Sequence, residues 1–232
     1  HGTLGLVTRM VELGELTPKA DQPIDVTLNL PAGPALIAVT LREDGRPLIM
    51  LEVTPPSFRD DRVDAVQLCG LLGLTPADLS DVLPVETAAA DFIHLVVPLR
   101  GLTEMRRITP DFGGMVKLCH AHDLETIVVI CTETERPHCA VHVRDFCPAV
   151  GVPESAAAGT TNAAVSISLL RHGVVSLNAD GVAQLRAEQV IELNRTSEIQ
   201  SEISQSNGKI AHLKVGGIAT KIAEGTLLVP SK

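Results

Sequence analysis

Apolar and polar positions alternate with a period of about two along residues 24–30, 35–41, 47–53, 91–97, 126–131 and 140–146, the period that places successive side chains on opposite faces of a strand. A helical period of about 3.6 fits residues 2–13, 62–72, 110–122 and 160–172. Further on, Ser206-Asn207-Gly208 separates two strand-like runs, 198–204 and 210–215, and the Asn-Gly pair predicts a hairpin. The tail from 188 to 228 reads as a meander with a second turn at Gly216-Gly217. The helices predicted at 2–13 and 160–172 are rich in small and aliphatic residues, as expected of a helix that sheet covers on several sides. Each opens on Gly-Thr (Gly2-Thr3, Gly159-Thr160) and ends near a glycine, Gly14 or Gly173. This weak internal repeat predicts two lobes, 1–100 and 101–232, with the last strand returning to the first. The boundary falls between Pro98 and Pro110, beside an exposed Arg106-Arg107.

Composition removes several function classes. The chain has 232 residues, 45% hydrophobic and 20% charged, which fits a globular protein of one large or two small domains. A net charge of −9 argues against a nucleic-acid surface. The absence of Trp and Tyr, with only four Phe, argues against aromatic stacking on bases or sugars. No apolar run approaches the roughly 18 residues needed for a membrane span, and no signal peptide is visible. Five cysteines without framework spacing point to a reducing compartment and a cytoplasmic location.

Candidate chemistry concentrates in residues 144–170. A strand ends at Phe146 and runs into a loop marked by Pro148 and Gly151. The loop carries Glu154 and small residues, then Gly159-Thr160-Thr161 opens a helix. A glycine at a helix mouth lets a ligand approach free backbone N–H groups, and the dipole favours an anion there. The same pattern also suits a buried helix with an ordinary start.

This stretch resembles the PhzF-like (phenazine-biosynthesis-like) family, whose hallmark reads roughly R-x-F-x-P-x-x-G-x-x-E-D-P-A-T-G-S-A. Arg144, Phe146, Pro148, Gly151, Glu154 and Gly159 match, and Thr160 replaces Ser. Further segments match in order: His1-Gly2-Thr3-Leu4 resembles a G-H-x-T-L helix start, residues 95–99 a strand signature, Glu188-Gln189 with Arg195-Thr196-Ser197 a Q-G-x-x-x-G-R-P-S segment, and Val215-Gly216-Gly217 a V-G-G turn. The resemblance spans essentially the whole chain. It implies the diaminopimelate-epimerase fold: α+β, two similar lobes, each a curled mixed sheet around a central helix, with both helix N-termini facing one cleft. Roughly a quarter of the family's length, including a catalytic Glu, precedes the G-H-x-T-L helix. The first lobe is therefore expected to be incomplete here, its N-terminal strands lying in a missing segment or a partner chain.

The implied activity is cofactor-free isomerisation or epimerisation of a small carboxylate, in a homodimer. By position His1 and Ser155 are the candidate catalytic residues, and Gly2, Thr3, Gly159 and Thr160 the candidate substrate-binding ones. No cofactor or metal is expected. Ser155, Ala156 and Ala158 stand where the family has Asp, Pro and Thr, and Ala89-Ala90-Asp91 where it has a Ser/Thr-Thr-Gly run. Serine carries no titratable proton near neutrality, so a second class stays open: a non-catalytic member that binds a metabolite or protein partner.

Other residues admit chemistry but fit structural roles. Cys119, His120 and His122 with His138-Cys139 could imitate a zinc site. His120 and His122, two apart, point to different sides of a helix, and Cys119 is expected to pack on its apolar face. Glu133 and Glu135 suit a solvated strand end, Glu154 a loop hydrogen bond, and Arg195 either a substrate carboxylate or an ion pair.

Overall fold

Which faces the strands bury decides how the elements assemble. The computed structural model describes residues 2–20, 22–30, 33–59 and 63–226, which fall into two units: 1–49 with 217–232, and 50–216.

The first unit opens with helix α1 (Gly2–Glu12), followed by β1 (Ile24–Leu30) and β2 (Gly33–Leu41). β1 and β2 pair antiparallel, with Ile24 opposite Val39. β3 (Pro47–Glu52) runs across the division between the units. Val7, Ile37, Val39 and Ile49 are buried, whereas Leu6 of α1, Leu13 just after it and Leu36 of β2 remain exposed.

The second unit holds the remaining elements. In chain order they are β4 (Ser57–Arg59), α2 (Ala65–Leu71), β5 (Glu86–Ala89), β6 (Ile93–Pro98), α3 (Leu102–Arg107), α4 (Phe112–His122), β7 (Thr126–Cys131), β8 (Val141–Phe146), β9 (Glu154–Ser155), α5 (Gly159–Arg171), β10 (Val182–Gln189), β11 (Ser197–Ser206) and β12 (Lys209–Gly217). The strand order is β12–β11–β10–β8–β7–β6–β5–β4, with β9 paired onto β8. β6 lies parallel to β7 and β8 parallel to β10; the other pairs in the unit are antiparallel. The sheet is therefore mixed.

The period of two sorts the strand side chains into two cores. Val96, Val128, Ile130, Val141 and Val143 join Leu185, Ile199, Ile203, Leu213 and Val215 around α5. Their neighbours Leu95, Val97, Ile127, Val129, Cys131 and Phe146 pack under α2, α3 and α4. Both faces of β7 and β8 are covered, so all six residues of each are buried. Each buried aliphatic side chain contributes about 1.5–3 kcal/mol. Nine consecutive residues of α5, Thr161 to Leu169, are buried. Ala163, Ala164, Ser166 and Ser168 are small enough for sheet to close on the helix from several sides.

The α+β class and the mixed sheet hold for residues 50–216. The 207–208 turn forms as its sequence predicts: Asn207 (φ 52°) and Gly208 (φ 74°) both adopt the left-handed conformation that a tight hairpin requires. The segment 98–110 contains α3, whose Leu102 and Met105 are buried. Short elements such as α3, β4 and β5 carry too few residues to display a period. β10 is obscured because its last two residues, Glu188 and Gln189, are polar yet fully buried.

Candidate functional site

The entrance to α5 is assembled by a loop with little freedom. Leaving β8 at Phe146, the chain makes a turn through Pro148–Val150 that ends on Gly151 at φ 90°. It then doubles back as β9, setting Ser155 opposite Asp145 and Glu154 opposite Phe146. Two buried amides pin the next residues. Gln189 donates from Nε2 to the Ser155 carbonyl (2.8 Å) and accepts at Oε1 from Asn162 Nδ2 (2.9 Å). Asn162 also donates to the Ala158 carbonyl (2.8 Å). Ser155 donates its hydroxyl to the Ala157 carbonyl (3.2 Å).

Ala158 is the N-cap of α5 and supplies no side-chain oxygen. Alanine is among the poorest N-caps. Gly159 is exposed and Thr160 half-buried, and among the described residues neither N–H donates a hydrogen bond. The first turn thus presents free donors and the positive end of a helix that otherwise lies in the core.

A buried polar layer underlies this turn. Thr161 donates to Asp145 Oδ2 (2.8 Å), and His94 Nδ1 meets the Thr126 hydroxyl at 2.7 Å. Burial pushes the Asp145 carboxyl up to about 6, against the Thr161 and Thr126 hydroxyls that favour its charge. Burial alone pushes His94 down to about 4, so its ring is neutral at pH 7. Among the described residues, Nε2 of His94 and Oδ1 of Asp145 have no hydrogen-bond partner. A narrow gap beside α5 is lined by Thr54, Asp91, His94, Thr160 and Ala163.

On the opposite face of β8, Arg144 forms a bidentate pair with Glu154, 2.9 Å at both contacts. His142 is held between Glu188 (2.8 Å) and Glu192 (2.9 Å). Burial opposes a charge on His142, but the hydrogen bonds that it donates to the Glu192 and Glu188 carboxylates outweigh it and raise its pKa. The Glu192 carboxyl is lowered: burial acts against its charge, and the bond from His142 prevails.

Among the expected site residues, Ser155, Gly159 and Thr160 come together at the α5 entrance. Gly2 and Thr3 open α1 in the other unit, and His1 lies outside the described residues. Glu154 takes the loop role expected of it, through Arg144. Cys119 is buried under α4 as expected, while His120 is exposed at that helix's last turn. Glu133 does more than face water at a strand end: its carboxylate accepts the Leu102 N–H (2.9 Å) at the start of α3, and Glu135 pairs with Arg106. Arg195 is exposed and makes no ion pair among the described residues. Asn162, Asp145 and His94 did not stand out in the sequence. A buried Asn, Asp or His is recognisable only once the fold supplies its partner.

The family model for phenazine biosynthesis-like proteins matches residues 1–225. The chain belongs to the phenazine biosynthesis-like family. A relative within the range of this likeness is an uncharacterized isomerase of Mesorhizobium japonicum, 28% identical over 99% of this chain and 75% of its own length. Among solved structures, a PhzF-family phenazine biosynthesis protein of Bacillus anthracis superposes with a TM-score of 0.85 at 23% identity, covering 99% of this chain and 75% of that one. A predicted epimerase of Pseudomonas aeruginosa gives 0.74 at 17% identity, covering 99% and 74%. At these identities the two structures establish the PhzF-like fold.

Proposed function

We propose that this chain is a cofactor-independent isomerase or epimerase that moves a proton on a small carboxylate-containing metabolite, bound at the entrance to α5. The observation that carries this reading is the first turn of α5: N–H groups on Gly159 and Thr160 that donate no hydrogen bond among the described residues, no capping side chain, and an approach loop held by hydrogen bonds. Membership of a family whose relatives are named isomerases supports the reaction class. Gly2 and Thr3, which open α1, are proposed as further substrate-binding residues on the strength of the family resemblance alone. Five buried, free cysteines agree with a reducing cytoplasm, and a homodimer completes the proposal.

The substrate carboxylate would sit on the α5 N–H groups, where dipole and hydrogen bonds act together. Proton transfer at the neighbouring carbon then needs a group titrating near neutrality within hydrogen-bond reach. His1 has the chemistry for it. Ser155 can hold a substrate by a hydrogen bond but cannot serve as a base at neutral pH. The test is deuterium uptake from heavy water by a panel of small amino and hydroxy carboxylates, with and without a chelator. Chelator-insensitive exchange is expected. Ser155→Ala should lower it modestly, by about 1 kcal/mol of lost hydrogen bonding. His1→Ala should lower it by about 10²-fold. A larger loss at Ser155 than at His1 would overturn the mechanism, and binding without exchange would favour a non-catalytic metabolite-binding role.

A further inference from the structure

We propose that His138, Cys139 and Glu198 form a binding site for one thiophilic divalent metal ion of the zinc class, separate from the α5 entrance. His138 and Cys139 end the loop between β7 and β8, and Glu198 is the second residue of β11. A ring nitrogen of His138, Sγ of Cys139 and a carboxylate oxygen of Glu198 all lie within 4.8 Å of one another. A tetrahedral zinc ion sets its ligand atoms about 3.4–3.8 Å apart. His138 Nε2 and Glu198 Oε2 now share a 2.8 Å hydrogen bond, so an ion entering between them needs them to part by only roughly half an ångström beyond that contact.

The frame around these ligands is already ordered. Thr134 donates its hydroxyl toward the Arg136 carbonyl (3.0 Å) and the Cys139 carbonyl (3.3 Å), and the Cys139 N–H donates to the Arg136 carbonyl (2.9 Å). The buried Glu188 carboxylate accepts the N–H groups of Glu135 (2.6 Å) and Arg136 (2.9 Å). Outer contacts of this kind orient metal ligands and help set affinity.

The donor set chooses the metal. One thiol, one imidazole and one carboxylate favour zinc, cobalt and their neighbours over magnesium or calcium, which prefer oxygen alone. Arg136 and Arg186 stand 3.8 and 3.9 Å from the Glu198 carboxylate. These are charge contacts longer than hydrogen bonds, so they leave lone pairs on Glu198 for a metal. Their positive charge weakens binding of any cation, which tells most against a hard ion held by charge alone. Binding replaces the Cys139 thiol proton by the metal, Cys–SH + M²⁺ → Cys–S–M⁺ + H⁺, and breaks the His138–Glu198 hydrogen bond. All five cysteines are buried, Cys139 the most exposed of them at 8%, and the other four lie outside this cluster. The bound ion would tie the 134–139 loop to β11.

The experiment titrates the metal-free full chain with cobalt(II), reads the near-ultraviolet thiolate-to-cobalt charge-transfer band, and then displaces cobalt with zinc. The expected result is a band that saturates at one ion per chain. Cys139→Ser should abolish the band. His138→Ala and Glu198→Gln, which keep the thiol, should each weaken binding by at least about tenfold, the lower range for loss of even a supporting contact. Far-ultraviolet circular dichroism of each variant confirms that it is folded. No thiolate band at saturating cobalt, a band that survives Cys139→Ser, or affinities unchanged in both other variants would each overturn the site. The isomerase proposal is untouched by any of these results, because exchange is read separately and none of the three ligands lies at the α5 entrance.

Discussion

Glu154 precedes Ser155 directly, where a proton carrier would be useful, yet both of its oxygens are engaged by Arg144. Both side chains are buried, with relative exposures of 8% and 5%. Breaking a buried pair leaves an uncompensated charge, at a cost of about 3–5 kcal/mol. Glu154→Gln is therefore expected to destabilise the protein by about that much in chemical denaturation, before any effect on ligand binding; a change below about 1 kcal/mol would show that the pair is more solvated than its geometry indicates. At this scale the sequence was legible where residues sit close together in the chain: Arg144, Glu154 and Gly159 fall within one motif. The Asn162–Gln189 bond, which fixes the loop, joins residues 27 apart, and no local pattern announces it.

At the scale of elements, α5 and the 207–208 hairpin were legible because their signals are strong and local: a long small-residue helix behind a glycine, and an Asn-Gly turn between alternating strands. Packing refines what that pattern means. Ala164 is 1% exposed within the core around α5, so Ala164→Leu should cost about 1–3 kcal/mol by overpacking, measured as a lower Tm. Glycines separate two effects. Gly208 (φ 74°) has open space where a Cβ would lie, so Gly208→Ala should cost only the left-handed penalty of about 1–2 kcal/mol. At Gly73 (φ 71°) a Cβ would also overlap the Thr109 hydroxyl. Gly73→Ala should be clearly the more damaging of the two in parallel denaturation curves; equal costs would mean that Thr109 yields freely.

The whole molecule answers to pH through groups that its interior has shifted. His94, lowered to about 4, is neutral when folded but takes a proton when unfolded below about 6.5. Its contribution to stability therefore falls as pH drops from about 6.5 toward 4. Asp145, raised to about 6, keeps its proton in the folded state where the unfolded chain has lost it. Its contribution is fully present below about 3.9, the ordinary Asp value, and is lost as pH rises through about 6. His142, raised above 6.5, contributes most below that value and less as pH climbs through its folded pKa. Asp145→Asn isolates one of these groups. Relative to the wild type, the variant should gain about 2–3 kcal/mol as pH rises from 4 to 6; a difference that stays flat over that range would mean Asp145 titrates normally. The α+β class followed from the family resemblance, and individual strands and helices were readable from chain-wide periodicity. The titrating layer was not, because a shifted pKa belongs to surroundings that only the folded sheet creates.

β8 and β10 are parallel neighbours, with Val141 beside Ala187, and α5 occupies the connection between them. Synthesis therefore delivers the helix well before its covering. About 46 residues separate the end of α5 at Arg171 from the end of β12 at Gly217. At about 5–20 residues per second, a ribosome needs roughly 2–9 s to make them. During that interval the apolar flanks of α5 lack three of the strands that enclose them. The nascent chain should be most open to chaperone capture in this window, and a stall between residues 172 and 217 should yield an aggregation-prone intermediate.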